Sequence, residues 1–263
     1  METEKVTPIT LRQMKEKGEK HTFIPVYDYP FASILDESGI DAFLVGDSLG
    51  KQVLGRTDAV SVTVDEMIYH TQAVARATKR ALIVTDMPFM SYEISIDEAK
   101  RNAGRIIKEG GANAVKIGGG MEIAETIAAV VKAGIPVMGQ LSPPDQIVKC
   151  DMPSVRDMTD ADRVTLVDDA KALEEAGAFM IGLVRVDAEI AREITQTLKI
   201  PTSGIGSGPY CDGTSLLLYH LIGLISGDLP SFVKKYANIR PVISDAVKQF
   251  IKESKDGTFP LRI

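Results

Sequence analysis

Two aspartates, Asp47 and Asp86, stand just past short apolar runs, Ala42–Val45 and Leu82–Thr85. Neighbouring strands lie about 5 Å apart. If these runs are neighbouring strands, both carboxylates reach one cation. Two hard oxygen donors with open positions suit Mg²⁺, which keeps waters and substrate oxygens in its shell. Ser48 follows Asp47, and Lys116 lies within a third run, Ala114–Ile117; both suit an anionic group. A structural reading of the same residues is equally available. In it Asp47 and Asp86 cap the segments that follow, and Lys116 is their ion-pair partner. Spacing leaves both readings open.

Other polar groups follow later runs. Gln140 ends Pro136–Met138 through Gly139, and Arg185 follows Met180–Leu183 and Val184. Arg185 stays cationic at any useful pH and suits a second carboxylate. Asp28, Gln140, Ser142 and Asp145 are the further polar candidates. The glycine runs Gly118–Gly120 and Gly204–Gly208 offer backbone N–H groups to an anion, or simply make tight turns. Neither matches a phosphate-binding or dinucleotide fingerprint in full. His21, His70 and His220 show no metal-ligand spacing, which argues against zinc. His220 lies in an apolar run and reads as a core residue. No nucleophile-elbow motif occurs.

These residues need elements to position them. A junction recurs along the chain: Glu37-Ser-Gly-Ile-Asp-Ala-Phe-Leu-Val-Gly46, Glu109-Gly-Gly-Ala-Asn-Ala-Val-Lys-Ile-Gly118 and Glu175-Ala-Gly-Ala-Phe-Met-Ile-Gly-Leu183. Each places a glycine after an amphipathic helix and then enters a short apolar strand. Apolar runs without polar alternation mark strands buried on both faces, as in parallel sheets. Eight runs qualify: Phe23–Tyr27, Ala42–Val45, Leu82–Thr85, Ala114–Ile117, Pro136–Met138, Met180–Leu183, Thr202–Gly204 and Leu221–Ile225. Helical patterns fall between most of them, at Glu66–Ala77, Ile96–Glu109, Glu122–Ala133, Ala161–Ala176 and Ala188–Leu198. C-terminal helices are expected within Ser231 to Lys255, interrupted before Pro241. The pattern predicts one (β/α)₈ TIM barrel domain over residues 1–263, with a doubly wound open sheet as the alternative. Reacting groups then project from the C-terminal strand ends, where the residues above lie.

Composition narrows the function classes. The 263 residues carry a net charge of −6 and no basic run. That disfavours nucleic acid and anionic membrane surfaces as partners. The most apolar run, Leu216 to Ile225, is too short to span a bilayer. No secretory pattern is visible at the N-terminus, and the two cysteines, Cys150 and Cys211, form no disulfide framework. Both features point to the cytosol.

The chain also resembles the ketopantoate hydroxymethyltransferase family. The resemblance rests on Tyr27-Asp-Tyr-Pro-Phe-Ala32, Leu44-Val-Gly-Asp-Ser-Leu-Gly50, Val62-Thr-Val, Tyr69-His-Thr71, Thr85-Asp-Met-Pro-Phe-Met90, Lys116-Ile-Gly-Gly-Gly120 and Gly204-Ile-Gly-Ser-Gly208. Asp212-Gly213 and Gly227-Asp-Leu-Pro-Ser-Phe-Val-Lys234 extend it over nearly the whole chain. It implies a TIM barrel of the phosphoenolpyruvate/pyruvate type, assembled as a homo-oligomer, usually a decamer. It implies Mg²⁺-dependent transfer of a one-carbon unit from methylenetetrahydrofolate to 3-methyl-2-oxobutanoate, through a metal-stabilised enolate. Asp47 and Asp86 are then the metal ligands and part of the substrate site, and Ser48 and Lys116 hold the substrate carboxylate.

Three positions depart from the family pattern. Gly118 stands where the family has a metal-assisting glutamate, and Gln140 where it has a histidine. Val184, before Arg185, stands where it has the glutamate that removes the proton. The segment Lys149 to Thr159 also lacks the usual glycine-rich loop. Lys116, Gln140 and Arg185 are therefore the catalytic candidates. The departures motivate an alternative, a diverged enzyme forming or breaking another C–C bond or decarboxylating a 2-oxo acid. A non-catalytic ligand-binding subunit is a third reading.

Overall fold

The computed structural model describes residues 4–143, 158–225, 227 and 229–260. They form two compact units, 1–215 and 216–263, each taken by itself below.

The first unit is a closed barrel of eight parallel strands in sequence order, which excludes the open sheet. The strands are β1 (His21–Pro25), β2 (Ala42–Val45), β3 (Leu82–Asp86), β4 (Ala114–Gly118), β5 (Val137–Leu141), β6 (Met180–Val184), β7 (Thr202–Ile205) and β8 (Gly213–Ser215). The helices are α1 (Pro8–Lys17), α2 (Tyr29–Glu37), α3 (Leu49–Gln52), α4 (Val64–Ala77), α5 (Ile96–Arg105), α6 (Ala124–Lys132), α7 (Asp160–Glu175) and α8 (Ala188–Thr197). Several begin at side-chain caps that local sequence dictates. Thr63 accepts from the Glu66 N–H while Glu66 returns the bond to Thr63, a reciprocal cap at α4. Thr159 and Asp162 do the same at α7.

The lumen follows from the two-residue strand period. Phe23, Ala42, Leu82, Val84, Ala114, Met138 and Met180 form one buried cluster with Val6 and Leu11. Val6 and Leu11 come from the N-terminal segment and α1, which close the barrel floor. Two residues beyond Val84, Ala114 and Met138, the same period turns Asp86, Lys116 and Gln140 toward the lumen at its opposite end, the mouth.

Two expected elements are corrected. The eighth strand is Gly213–Ser215, paired with β1 and β7, and not Leu221–Ile225. An apolar run does not by itself distinguish a strand from a buried turn. Leu221–Ile225 lies in the second unit, starts on the last residue of α9 (Leu218–Leu221) and turns at Gly223 with φ of 64°. The true strand is short and polar, and close packing selects its first residue. A Cβ on Gly213 would lie 2.1 Å from the His21 ring. The second correction is at the C-terminus, where one helix, α10 (Ile239–Asp256), replaces the interrupted pair. Pro241 falls in its first turn, where no N–H is required for the helix. The predicted helix over Ile96–Glu109 holds its α geometry to Arg105 and continues as a π turn, Ile106–Gly110.

Candidate active site

The mouth residues are joined by direct bonds. Gly46, Asp47 and Ser48 make the turn from β2 into α3, where Leu49 N–H donates to Gly46 O at 3.0 Å and Gly50 N–H to Asp47 O at 2.9 Å. The Asp47 backbone N–H donates to Asp86 Oδ2 at 3.0 Å. A carboxylate at the end of β3 therefore pins the turn at the end of β2. The turn has no room to spare, because a Cβ on Gly46 would sit 2.9 Å from Ser48 Oγ and 3.3 Å from Asp86 Oδ2.

Asp86 is buried, and its Oδ1 lies 2.8 Å from Lys116 Nζ. The register sets this pair, since Asp86 and Lys116 are direct partners in the β3–β4 ladder. Apart from the ion pair, Asp86 Oδ1 has no hydrogen-bond partner among the described residues. Lys116 Nζ also donates to Gln140 Oε1 at 2.6 Å. Asp47, Asp86, Lys116 and Gln140 thus form one chain of contacts across β2 to β5. The ion-pair half of the structural reading holds, since Asp86 pairs with Lys116, but the N–H it accepts belongs to the preceding Asp47 turn and not to the segment after it.

Three groups that sequence reasoning passed over support this chain. Tyr27 Oη lies 2.9 Å from Ser48 Oγ. His70 Nδ1 lies 2.8 Å from Tyr27 O, so α4 buttresses the exit of β1. Tyr92 donates its hydroxyl to Gly118 O at 2.9 Å. Burial pushes the Tyr92 phenol well above its ordinary range, and the negative charges of Glu93, Asp86 and Asp47 add to the shift. It stays protonated and remains a donor. The signal for Tyr92 was its place right after the Pro88–Met90 segment, but loop residues have no period from which a direction follows.

The remaining candidates differ in position. Arg185 is buried just beyond β6, and its backbone N–H donates to Ile205 O at 2.9 Å. Its φ is 56°, unusual for a residue with a side chain. Burial lowers its guanidinium pKa from the ordinary value. Arg185 follows the C-terminal end of β6, the same end of the barrel as Asp86, Lys116 and Gln140. Val184 lies two residues beyond Gly182 and four beyond the lumen-facing Met180, so the period turns its hydrocarbon side chain inward. Asp28 is the N-cap of α2 and accepts from Phe31 N–H at 3.0 Å. His21 lies at the floor, and His220 in the second unit. Asp145, Cys150 and most of the segment Lys149 to Thr159 lie outside the described residues.

Residues 5–262 match the sequence profile of the ketopantoate hydroxymethyltransferase family. A 3-methyl-2-oxobutanoate hydroxymethyltransferase of Syntrophus aciditrophicus is 48% identical over 257 residues, covering 97% of this chain and 94% of its own. One of Pelobacter propionicus is 48% identical over 258 residues, covering 97% and 95%. The chain belongs to the ketopantoate hydroxymethyltransferase family. It is accordingly an enzyme of the transferase class. Solved structures agree on the fold. Phosphonopyruvate hydrolase, determined with oxalate and Mg²⁺, superposes with a TM-score of 0.64 at 12% identity, covering 96% of this chain and 88% of that one. The 2,3-dimethylmalate lyase, a member of the PEP mutase/isocitrate lyase superfamily, gives 0.61 at 16% identity, covering 97% and 89%.

The donor set of this family member bears on which cation it suits. Among the described residues no three His, Cys, Asp or Glu side chains gather to hold a metal. A cation at Asp47 and Asp86 would take most of its shell from water and ligand oxygens. That is the preference of Mg²⁺ and not of zinc. Asp86 Oδ1 is paired with Lys116 Nζ at 2.8 Å, and as a carboxylate oxygen with two lone pairs it keeps one for a cation.

Proposed function

We propose that this enzyme transfers a hydroxymethyl unit from methylenetetrahydrofolate to 3-methyl-2-oxobutanoate, giving ketopantoate on the route to pantothenate. The observation that carries this is the connected set Asp47, Asp86 and Lys116 at the barrel mouth, in a chain related to named hydroxymethyltransferases along nearly its whole length. Asp47 and Asp86 would hold Mg²⁺, which as a Lewis acid would make the proton next to the ketone easier to remove. The remaining work falls to the chain itself. Lys116, already placed beside Asp86, binds the substrate carboxylate with Ser48. Tyr27 and His70 keep Ser48 and the β1 exit in position. Val184 cannot accept a proton, so the base is not at the lumen position that ends β6.

The test is incubation with Mg²⁺, 3-methyl-2-oxobutanoate and methylenetetrahydrofolate. Ketopantoate is the expected product. Absence of ketopantoate together with absence of C3 proton exchange would overturn the proposal. Gly118, Gln140 and Val184 favour a second reading, in which the same site cleaves or decarboxylates another 2-oxo acid. Metal-dependent turnover of 2-oxo diacids, with none of 3-methyl-2-oxobutanoate, would select it.

We further assign the enzyme to the cytosol, in keeping with its low cysteine use. Among the described residues no helix is long and apolar enough to cross a membrane. We also propose a homo-oligomer, a decamer by resemblance. In the second unit α10 has no buried residue and exposes Ile243, Val247, Phe250 and Ile251, which share a helical face. Light scattering at micromolar concentration would return a monomer mass if this is wrong.

A further inference from the structure

Gln140 has an orientation that can be read without ambiguity. Lysine ammonium groups only donate. The side-chain atom of Gln140 that lies 2.6 Å from Lys116 Nζ is therefore its carbonyl oxygen, Oε1. The amide nitrogen, Nε2, must face the other way. Among the described residues it makes no hydrogen bond, and it is not among the fully buried unpaired atoms.

What Nε2 faces is space left by a missing side chain. Gly118 and Gln140 are direct partners in the β4–β5 ladder, and both are partly exposed at the mouth. A Cβ built on Gly118 would lie 3.9 Å from Gln140 Nε2 and 3.6 Å from Tyr92 Oη. These are ordinary contact distances, so the glycine is not forced by crowding. It leaves a gap with two polar walls. The Tyr92 hydroxyl is committed as a donor to Gly118 O. The Gln140 wall presents N–H groups. A ligand group entering this gap meets N–H groups on the Gln140 wall and oxygen lone pairs on the Tyr92 wall, so a hydroxyl, which both accepts and donates, is favoured.

We infer that Gln140 is a specificity-determining residue, its Nε2 donating to an oxygen on the part of a 2-oxo acid beyond the ketone, in the gap above Gly118. The inference rests on the proposed 2-oxo acid site at Asp47, Asp86 and Lys116. In the reaction proposed above, that oxygen is the hydroxyl of the newly added hydroxymethyl group. Gln140 is then a binding group for the hydroxylated carbon and not a base, because its acceptor atom is already bound to Lys116. A single neutral hydrogen bond of this kind is worth a preference of about three- to tenfold.

The experiment compares two ligands that differ by one oxygen. They are 3,3-dimethyl-2-oxobutanoate and 4-hydroxy-3,3-dimethyl-2-oxobutanoate. Neither has a proton on C3, so neither is deprotonated there during calorimetry in the presence of Mg²⁺. The wild-type protein is expected to favour the hydroxylated acid by about three- to tenfold. Gln140→Leu should bring the two affinities within about twofold of each other, since any damage to Lys116 weakens both ligands alike and cancels in the ratio. Equal affinities in the wild type, or a preference retained in Gln140→Leu, would overturn the inference. If Gln140→Leu fails to fold, Gly118→Ala replaces it. Its methyl group occupies the gap without a clash and must also reduce the preference, and an unchanged ratio overturns the inference. Binding of neither acid with Mg²⁺ would defeat the underlying 2-oxo acid site as well, whereas binding of both without preference defeats only the assignment of Gln140.

Discussion

The floor and the mouth of the barrel both hold largely buried Lys–Asp pairs but differ in what the paired groups are left free to bind. At the floor, ionic groups are consumed in fixed internal bonds. Lys15 Nζ donates to Asp212 Oδ2 at 2.9 Å and to Thr195 O at 2.8 Å. Asp41 accepts from the Thr22 N–H and hydroxyl, both at 2.9 Å, and pairs with Arg80 at 2.8 Å. These bonds staple α1 and the strand starts together and leave little for a ligand. At the mouth, Asp86 Oδ1 has the Lys116 ion pair alone, and Gln140 turns its amide nitrogen outward. One lumen thus serves two ends. The lesson is that polar residues stabilise where their bonding capacity is filled, and become available for function where it is left partly open.

The contrast can be broken by substitution. The largest effect is expected at the mouth. Asp86→Asn keeps an oxygen for the Asp47 N–H but removes the charge, and should lower kcat per folded molecule about 10²- to 10³-fold, with a stability loss of about 3 kcal/mol from the unpaired Lys116. An unchanged kcat per folded molecule would place Asp86 with the floor residues.

His21 tests the floor through pH. Burial holds its imidazole down to about 4, against an ordinary value of 6.5, although Asp212 and Asp41 pull the other way. Above pH 6.5 the folded and unfolded chains both carry it neutral. As pH falls toward 4, only the unfolded chain takes up the proton, so stability declines through that window by about 3 kcal/mol in total. Denaturant midpoints of the wild type and of His21→Leu should differ in slope over that range. Parallel curves would show that the buried ring has no such role.

Lys15→Met removes one partner of the Asp212 pair, whose side chains are 15% and 16% exposed. A cost of about 2 kcal/mol is expected, with kcat per folded molecule unchanged. A change in kcat would mean that the two ends are coupled. Smallest is Tyr92→Phe, which forfeits the bond to Gly118 O and should cost about 1 kcal/mol in stability. Calorimetric melting would measure it.

Seven strands and five of the helices between them were legible because repeated apolar runs and glycine junctions report burial and chain reversal directly. The placement of Asp47, Ser48, Asp86 and Lys116 at one end of the barrel was legible because each stands at or near the C-terminal end of a strand. Gly213–Ser215 was not, since its strand character comes from hydrogen bonds to β1 and β7 rather than from its own residues. Tyr92 and His70 were missed as site residues because their partners are backbone carbonyls far along the chain, at Gly118 and Tyr27.

By itself, the order of residues determined a (β/α)₈ architecture and the family, since periodicity and local motifs survive in one dimension. Only the closed barrel decided which groups touch. The ladder register puts Asp86 beside Lys116 and Gly118 beside Gln140. Lys116 in turn fixes which end of the Gln140 amide faces outward, because an ammonium group has hydrogens to give and no lone pair to receive one.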